Sequence, residues 1–140
     1  PQPTRIREDT IMTHESASKM FLAAALFNWF VAITLFFVPT MFLGLLFVTP
    51  TPEQSVWVQQ FAGLVFFFGV GYFWASRDFD NNVQIIRLAV WAKSGVVAIG
   101  LLNVLMGDIS WQFMLAASVD ALFAVLFIKA LNARLRWQPN

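Results

Sequence analysis

Four apolar stretches, at 20–38, 53–76, 83–106 and 111–133, are each long enough for a helix to cross a hydrocarbon core of ~30 Å. Four of them in a chain of 140 residues leave few ways to fold. With no water at bilayer depth, the backbone N–H and C=O groups of a spanning segment must bond within that segment, which makes each stretch a helix. The expected fold class is therefore all-α, a four-helix transmembrane bundle. The chain is 59% hydrophobic and 12% charged, against ~25% charged residues in soluble domains. Its 16 Phe and 6 Trp are more aromatic bulk than a soluble core of this size could enclose.

The first stretch needs a break. From Met20 to Pro52 no residue is charged, and one straight helix over that length would reach roughly 50 Å. Pro39 lacks an N–H and clashes with the turn before it, so the first span should end near 38. The segment 40–48 then becomes a short interfacial helix between spans one and two. Thr51, Pro52 and Glu53 read as N-cap, first helical position and acidic first turn of span two. Thr13 or Ser16 can cap span one, Asp80 or Asn81 span three, and Ser110 span four. The domain layout is a polar tail at 1–18, the bundle at 19–133 and a short tail at 134–140. The polar start has no signal-peptide pattern, so the first span is expected to be retained.

Lys and Arg set the expected orientation. Arg5, Arg7 and Lys19 precede span one, Arg77 and Arg87 flank the middle loop, and Lys129, Arg134 and Arg136 close span four. The other two connections carry none. The positive-inside rule places both termini and the middle loop in the cytoplasm of a cell whose inner membrane holds the protein. Trp57 and Trp111 should then mark the outer interface, and Trp74 and Trp137 the inner one.

Two charges interrupt this apolar pattern. Lys93 is mid-way along span three and Asp120 mid-way along span four. An ionisable group at bilayer depth costs at least about 2.5 kcal/mol, so it faces the bundle interior and finds a partner. The short connection between spans three and four makes them antiparallel neighbours, and the two signs are opposite. Counted inward at ~1.5 Å per residue, Asn28 is roughly 12 Å deep, Lys93 roughly 15 Å and Asp120 roughly 16 Å, close to one level. Small residues share their faces: Ala24, Ala25 and Ala32 beside Asn28, Gly100 beside Lys93, and Ala116, Ala117 and Ala124 beside Asp120. Span two is expected to turn Gln60, Gly63, Phe67 and Gly71 inward, with Tyr72 beside them. Lys93, Asp120, Asn28 and Tyr72 form the candidate binding or structural polar site. A buried bridge that fixes helix pairing is its structural reading; a binding or proton-handling site is its functional one.

Other classes have little support. Net charge is +1, which gives no basic field for nucleic acid. Cysteine is absent, and the one histidine, His14, precedes the first span. One chain therefore has neither thiolate chemistry nor a multi-histidine metal site in the membrane. No nucleophile motif or metal-ligand cluster argues for an enzyme, and no intrinsic cofactor is expected.

Phe27-Asn28-Trp29 and Pro39, then Gly69-Val70-Gly71-Tyr72 with Arg77-Asp78, then Lys93 and Ser118-Val119-Asp120-Ala121-Leu122-Phe123-Ala124 form a further pattern over about 20–131. In it the chain resembles small four-helix bacterial inner-membrane proteins loosely grouped as DoxX-like. The resemblance implies a four-helix bundle in the inner membrane. Some of that group are linked to quinone-coupled sulfur oxidation, and others have no known activity.

Three functions follow as expectations. The first is a non-catalytic accessory or assembly subunit of a larger membrane complex, whose partners are membrane lipids and other subunits or copies of itself. The second is a small proton-coupled transporter or channel built on Asp120. The third is a binder of a lipophilic ligand, a quinone or a lipid, at the intramembrane polar site.

Overall fold

A computed structural model describes residues 12–49 and 51–137. The polar tail before Met12, Pro50 and the end of the C-terminal tail lie outside the described residues, as does the side chain of Trp137. Thr13 starts α1 (His14–Phe37) with a capping box, its side chain accepting from Ser16 N–H while Ser16 Oγ accepts from Thr13 N–H. The helix thus begins inside the expected tail. Val38 ends it and also begins α2 (Pro39–Gly44), with Pro39 at the first helical position. This short helix does not span. It stops at Gly44, not at 48, because the chain reverses through Phe47, whose left-handed φ of 59° accompanies a Val48 N–H bond to the Leu43 carbonyl.

Thr51 caps α3 (Pro52–Arg77) through a second box with Gln54, as the sequence predicts. The cap of α4 (Val83–Met106) differs from expectation. Asn82 takes the position, and it makes no side-chain cap bond. Asp78 has captured the loop instead: its carboxylate accepts from the backbone N–H and the side chain of Asn81, and its carbonyl accepts from Asn82 Nδ2. Asp80 is engaged elsewhere, by Arg134 Nε at 2.6 Å. The Asn81 bonds favour the ionised form and hold the Asp78 carboxyl below its usual range. Gly107 closes α4 in the left-handed conformation, φ 82°, where glycine pays no Cβ penalty. Ser110 does not cap α5 (Phe113–Trp137) directly. Its hydroxyl bonds to Gln112, and one tight turn precedes Phe113.

Four of these helices are long and apolar enough to cross a membrane, and the protein is a four-span membrane protein with a short non-spanning helix between its first two spans. The closest packing pairs α1 with α3 and α4 with α5; between the pairs the helices touch less. At one end of the bundle Ser18 Oγ donates to the Ser76 carbonyl at 2.5 Å, and Arg134 ties α5 to the loop between α3 and α4. This end holds the main core, in which Phe21, Phe79, Tyr72 and Phe127 interlock with ring centroids 4.8–5.4 Å apart. The opposite end carries the α1–α3 and α4–α5 connections. Exposed Trp57 and Trp111 mark that end, and exposed Trp74 marks the other. Trp91, 79% exposed in mid-helix, faces lipid.

The inward face of α3 differs from the expected stripe. Gln60 and Phe67 are exposed, and Ala62, Gly69 and Ala75 are buried instead, while Tyr72 is buried where it was expected. Gly71 keeps its inward place. Close approach decides the matter. A Cβ on Gly69 would lie 2.7 Å from both Cδ1 and Nε1 of Trp29 and 3.3 Å from the Ala25 carbonyl oxygen. Small residues on both helices bring their backbones together, and the Trp29 indole lies between Phe66 and Phe73. Gly63, by contrast, has open space before it. Gly69→Val should therefore destabilise the protein by about 1–3 kcal/mol through overpacking, whereas Gly63→Ala should not. Thermal or SDS unfolding in detergent would measure both.

Candidate functional site

Lys93 reaches α5 as the sequence predicts. Its ammonium donates to Asp120 Oδ1 in a salt bridge across the α4–α5 hairpin. Lys93 is 5% exposed as a residue, so its long stem is enclosed in the bundle and does not turn outward. Two aromatic faces complete its surroundings, with the Tyr72 ring centroid 5.5 Å from Nζ and that of Phe123 at 5.6 Å. Such cation–π contacts stabilise a desolvated ammonium by up to about 2 kcal/mol. Asp120 is less enclosed, its side chain 27% exposed.

Asn28 sits at the same site, 5% exposed, but it does not bond to the ion pair. Its Nδ2 donates to the Val65 carbonyl of α3 at 3.2 Å. Asn28 thus fastens α1 to α3 as Lys93 fastens α4 to α5. Gly100, expected beside Lys93, meets the Phe113 ring and so brings α4 and α5 together further along. Of the small residues beside Asp120, Ala117 and Ala124 are buried and Ala116 is partly so.

The four predicted residues share one space. Asn28, Tyr72, Lys93 and Asp120 line a cavity of about 220 Å³ between the two helix pairs, walled by Phe27 and Phe68 among others. Phe68 therefore faces inward, although its neighbour Phe67 is 71% exposed to lipid.

Sequence reasoning missed what adjoins this cavity. A half-open groove of about 610 Å³ runs from Asp120 towards the connection end, between α1 and α3 on one side and α5 on the other. Phe27, Val31, Phe61, Val96 and Asp120 line both spaces, which places them side by side with these residues as their common wall. The groove is almost wholly apolar, and Phe42, Leu43 and Leu46 from the α2 region wall its far end. A third space of about 560 Å³ shares Leu43, Val48 and Val58 with it and opens among Thr49, Gln54 and Asp108. The run of small side chains at Ala116 and Ala117 on α5 was the one signal in the sequence, and it reads equally well as close helix packing.

Among the described residues no group of three or more His, Cys, Asp or Glu side chains could hold a metal. No family model, curated protein or solved structure matches the chain.

Breaking the ion pair should cost far more than removing it. Lys93→Met leaves a carboxylate unpaired in a low-dielectric site and should destabilise the bundle by about 3–5 kcal/mol. The double variant Lys93→Met/Asp120→Leu should recover most of that loss. Unfolding of the single and double variants in detergent gives the comparison.

Proposed function

We propose that the protein binds a lipophilic molecule, its polar head at Lys93, Asp120 and Tyr72 and its apolar part in the adjoining groove. The observation that carries this reading is that a small cavity lined by the ion pair, Asn28 and Tyr72 lies beside a larger apolar groove, with Asp120 in the wall of both. Binding sites for small molecules are typically mostly apolar spaces of roughly 300–1,000 Å³ with a few convergent polar groups.

The shape favours binding over conduction. From the ion pair the spaces lead towards the connection end. In the other direction Tyr72 and Phe127 close against Phe21 and Phe79, and no residue of that cluster is more than 2% exposed. A pathway through the bundle would have to part these four rings. An accessory subunit remains compatible with lipophile binding, and its outer surface of Phe, Trp and Leu is what lipid contact alone requires.

We further read the protein as an inner-membrane protein with the Arg134–Asp80 end in the cytoplasm, on the strength of Lys19, Arg77, Arg87, Lys129, Arg134 and Arg136 gathered there. The DoxX-like resemblance rests on the sequence motifs alone and adds no ligand to this reading.

Two experiments test these readings. Native mass spectrometry of protein extracted from its membrane should find a lipophile bound at one per chain, and Ala116→Phe, which fills the groove without touching the ion pair, should abolish it. Retention of the adduct by the filled variant would refute the site. Because the sequence has no cysteine, single cysteines report topology directly. A membrane-impermeant maleimide on intact cells should label Asp108→Cys and leave Asn81→Cys unlabelled.

A further inference from the structure

We infer that the head of the bound molecule is uncharged and carries carbonyl or hydroxyl oxygens. This rests on the lipophile-binding reading and adds the chemistry of the ligand. Lys93 and Asp120 cancel each other, and neither of the other polar groups at the cavity, Asn28 and Tyr72, brings a formal charge as amide and phenol. The groove leading there is apolar almost throughout. A sulfonate or phosphate head would add a net negative charge at bilayer depth, and a quaternary ammonium a net positive one. Each would be left without a counter-ion, or would have to take one partner of the existing pair and strand the other.

An uncharged oxygen-bearing head meets no such cost. An ammonium has three N–H donors, and one of those of Lys93 is given to Asp120 Oδ1. A carbonyl or hydroxyl oxygen of the ligand accepts from another. Asp120 borders both the cavity and the groove and is partly open to them. It accepts from a ligand hydroxyl without releasing Lys93. The cavity that holds the four polar side chains is about 220 Å³ and the apolar groove about 610 Å³, so the head is the smaller part and the hydrocarbon the larger. The orientation follows: head at the ion pair, hydrocarbon towards α2. Neutral glycerides and alkylated benzoquinones share this chemistry.

Four photoreactive probes with one common alkyl diazirine tail test the inference on the full chain in phosphatidylcholine nanodiscs. Their heads are a glycerol ester, a benzoquinone, a sulfonate and a trimethylammonium. Peptide mapping separates groove labelling, at 27–35 and 113–120, from labelling of the lipid-facing surface. At least one uncharged probe should label the groove at a concentration about a hundredfold below either charged probe, the separation expected from an unpaired charge at this depth. The more potent of the two uncharged probes identifies the source as glyceride or quinone. Asp120→Asn, which leaves Lys93 as an excess positive charge, should shift the preference towards the sulfonate. Groove labelling by a charged probe at equal concentration would overturn the neutral head and leave lipophile binding standing. Labelling of the outer surface alone by all four would overturn both. Unaltered selectivity in a folded Asp120→Asn protein would overturn the role of the ion pair in choosing the head.

Discussion

An ammonium and a carboxylate at the depth of a hydrocarbon core have no water to return to, and this constraint orders the bundle around them. Lys93 and Asp120 meet across α4 and α5, and their union fixes which faces of those two helices turn inward. The other polar bonds between spans follow a matching rule. Asn28 to Val65, Gln59 to Phe36 and Ser18 to Ser76 all join α1 to α3. Each helix pair is thus internally bonded. Between the two pairs the Lys93–Tyr72 approach is a link at the site. Along the rest of the seam side-chain volume does much to set its shape.

That volume is unevenly distributed along the seam. At the Arg134 end Phe21, Tyr72, Phe79 and Phe127 fill it completely. Towards the connections Val31, Val96, Ala116 and Ala117 stand among larger rings such as Phe27, Phe61 and Phe113, and the gap between the helices is not filled. One end of the bundle is therefore a dry core and the other a groove, although both are built from helices of similar length and hydropathy. The ion pair sits where one gives way to the other. Its ammonium lies near the rings of Tyr72 and Phe123 and borders the cavity, and its carboxylate is partly open to the groove.

The spans were legible because length and apolarity are local properties that lipid enforces. Thr51 was legible as a cap, and Thr13 as one of two candidates, because a cap needs only residues within three positions of one another. The Lys93–Asp120 contact could be read from sign, depth and a short connection. The face of α3 could not. Gln60 looked like an inward polar group, yet near a membrane interface an amide can point outward, and it was Gln59 that bonded inward to the Phe36 carbonyl. Gly69 rather than Gly63 sets the close approach because Trp29 stands opposite, a pairing across helices that no single segment encodes. Asn28 does share a cavity with Lys93 and Asp120, while its partner proved to be a backbone carbonyl, which carries no sequence signal. The groove was the least legible feature, because it depends on where two helix pairs fail to touch.

The same logic explains why the charged pair and the groove belong together. Enclosing both partners of an ion pair costs the desolvation of each, whereas a carboxylate left partly open keeps a face available to another polar group. Here enclosure is one-sided: Lys93 is covered and Asp120 is left partly open at the narrow end of an apolar groove. Closing the seam over it would have required only larger residues at positions such as 116 and 117, a change within the aromatic repertoire the chain uses freely elsewhere. The small residues there keep the carboxylate accessible from within the membrane. An occupant with a small oxygen-bearing head would supply the packing that the chain itself withholds at that end.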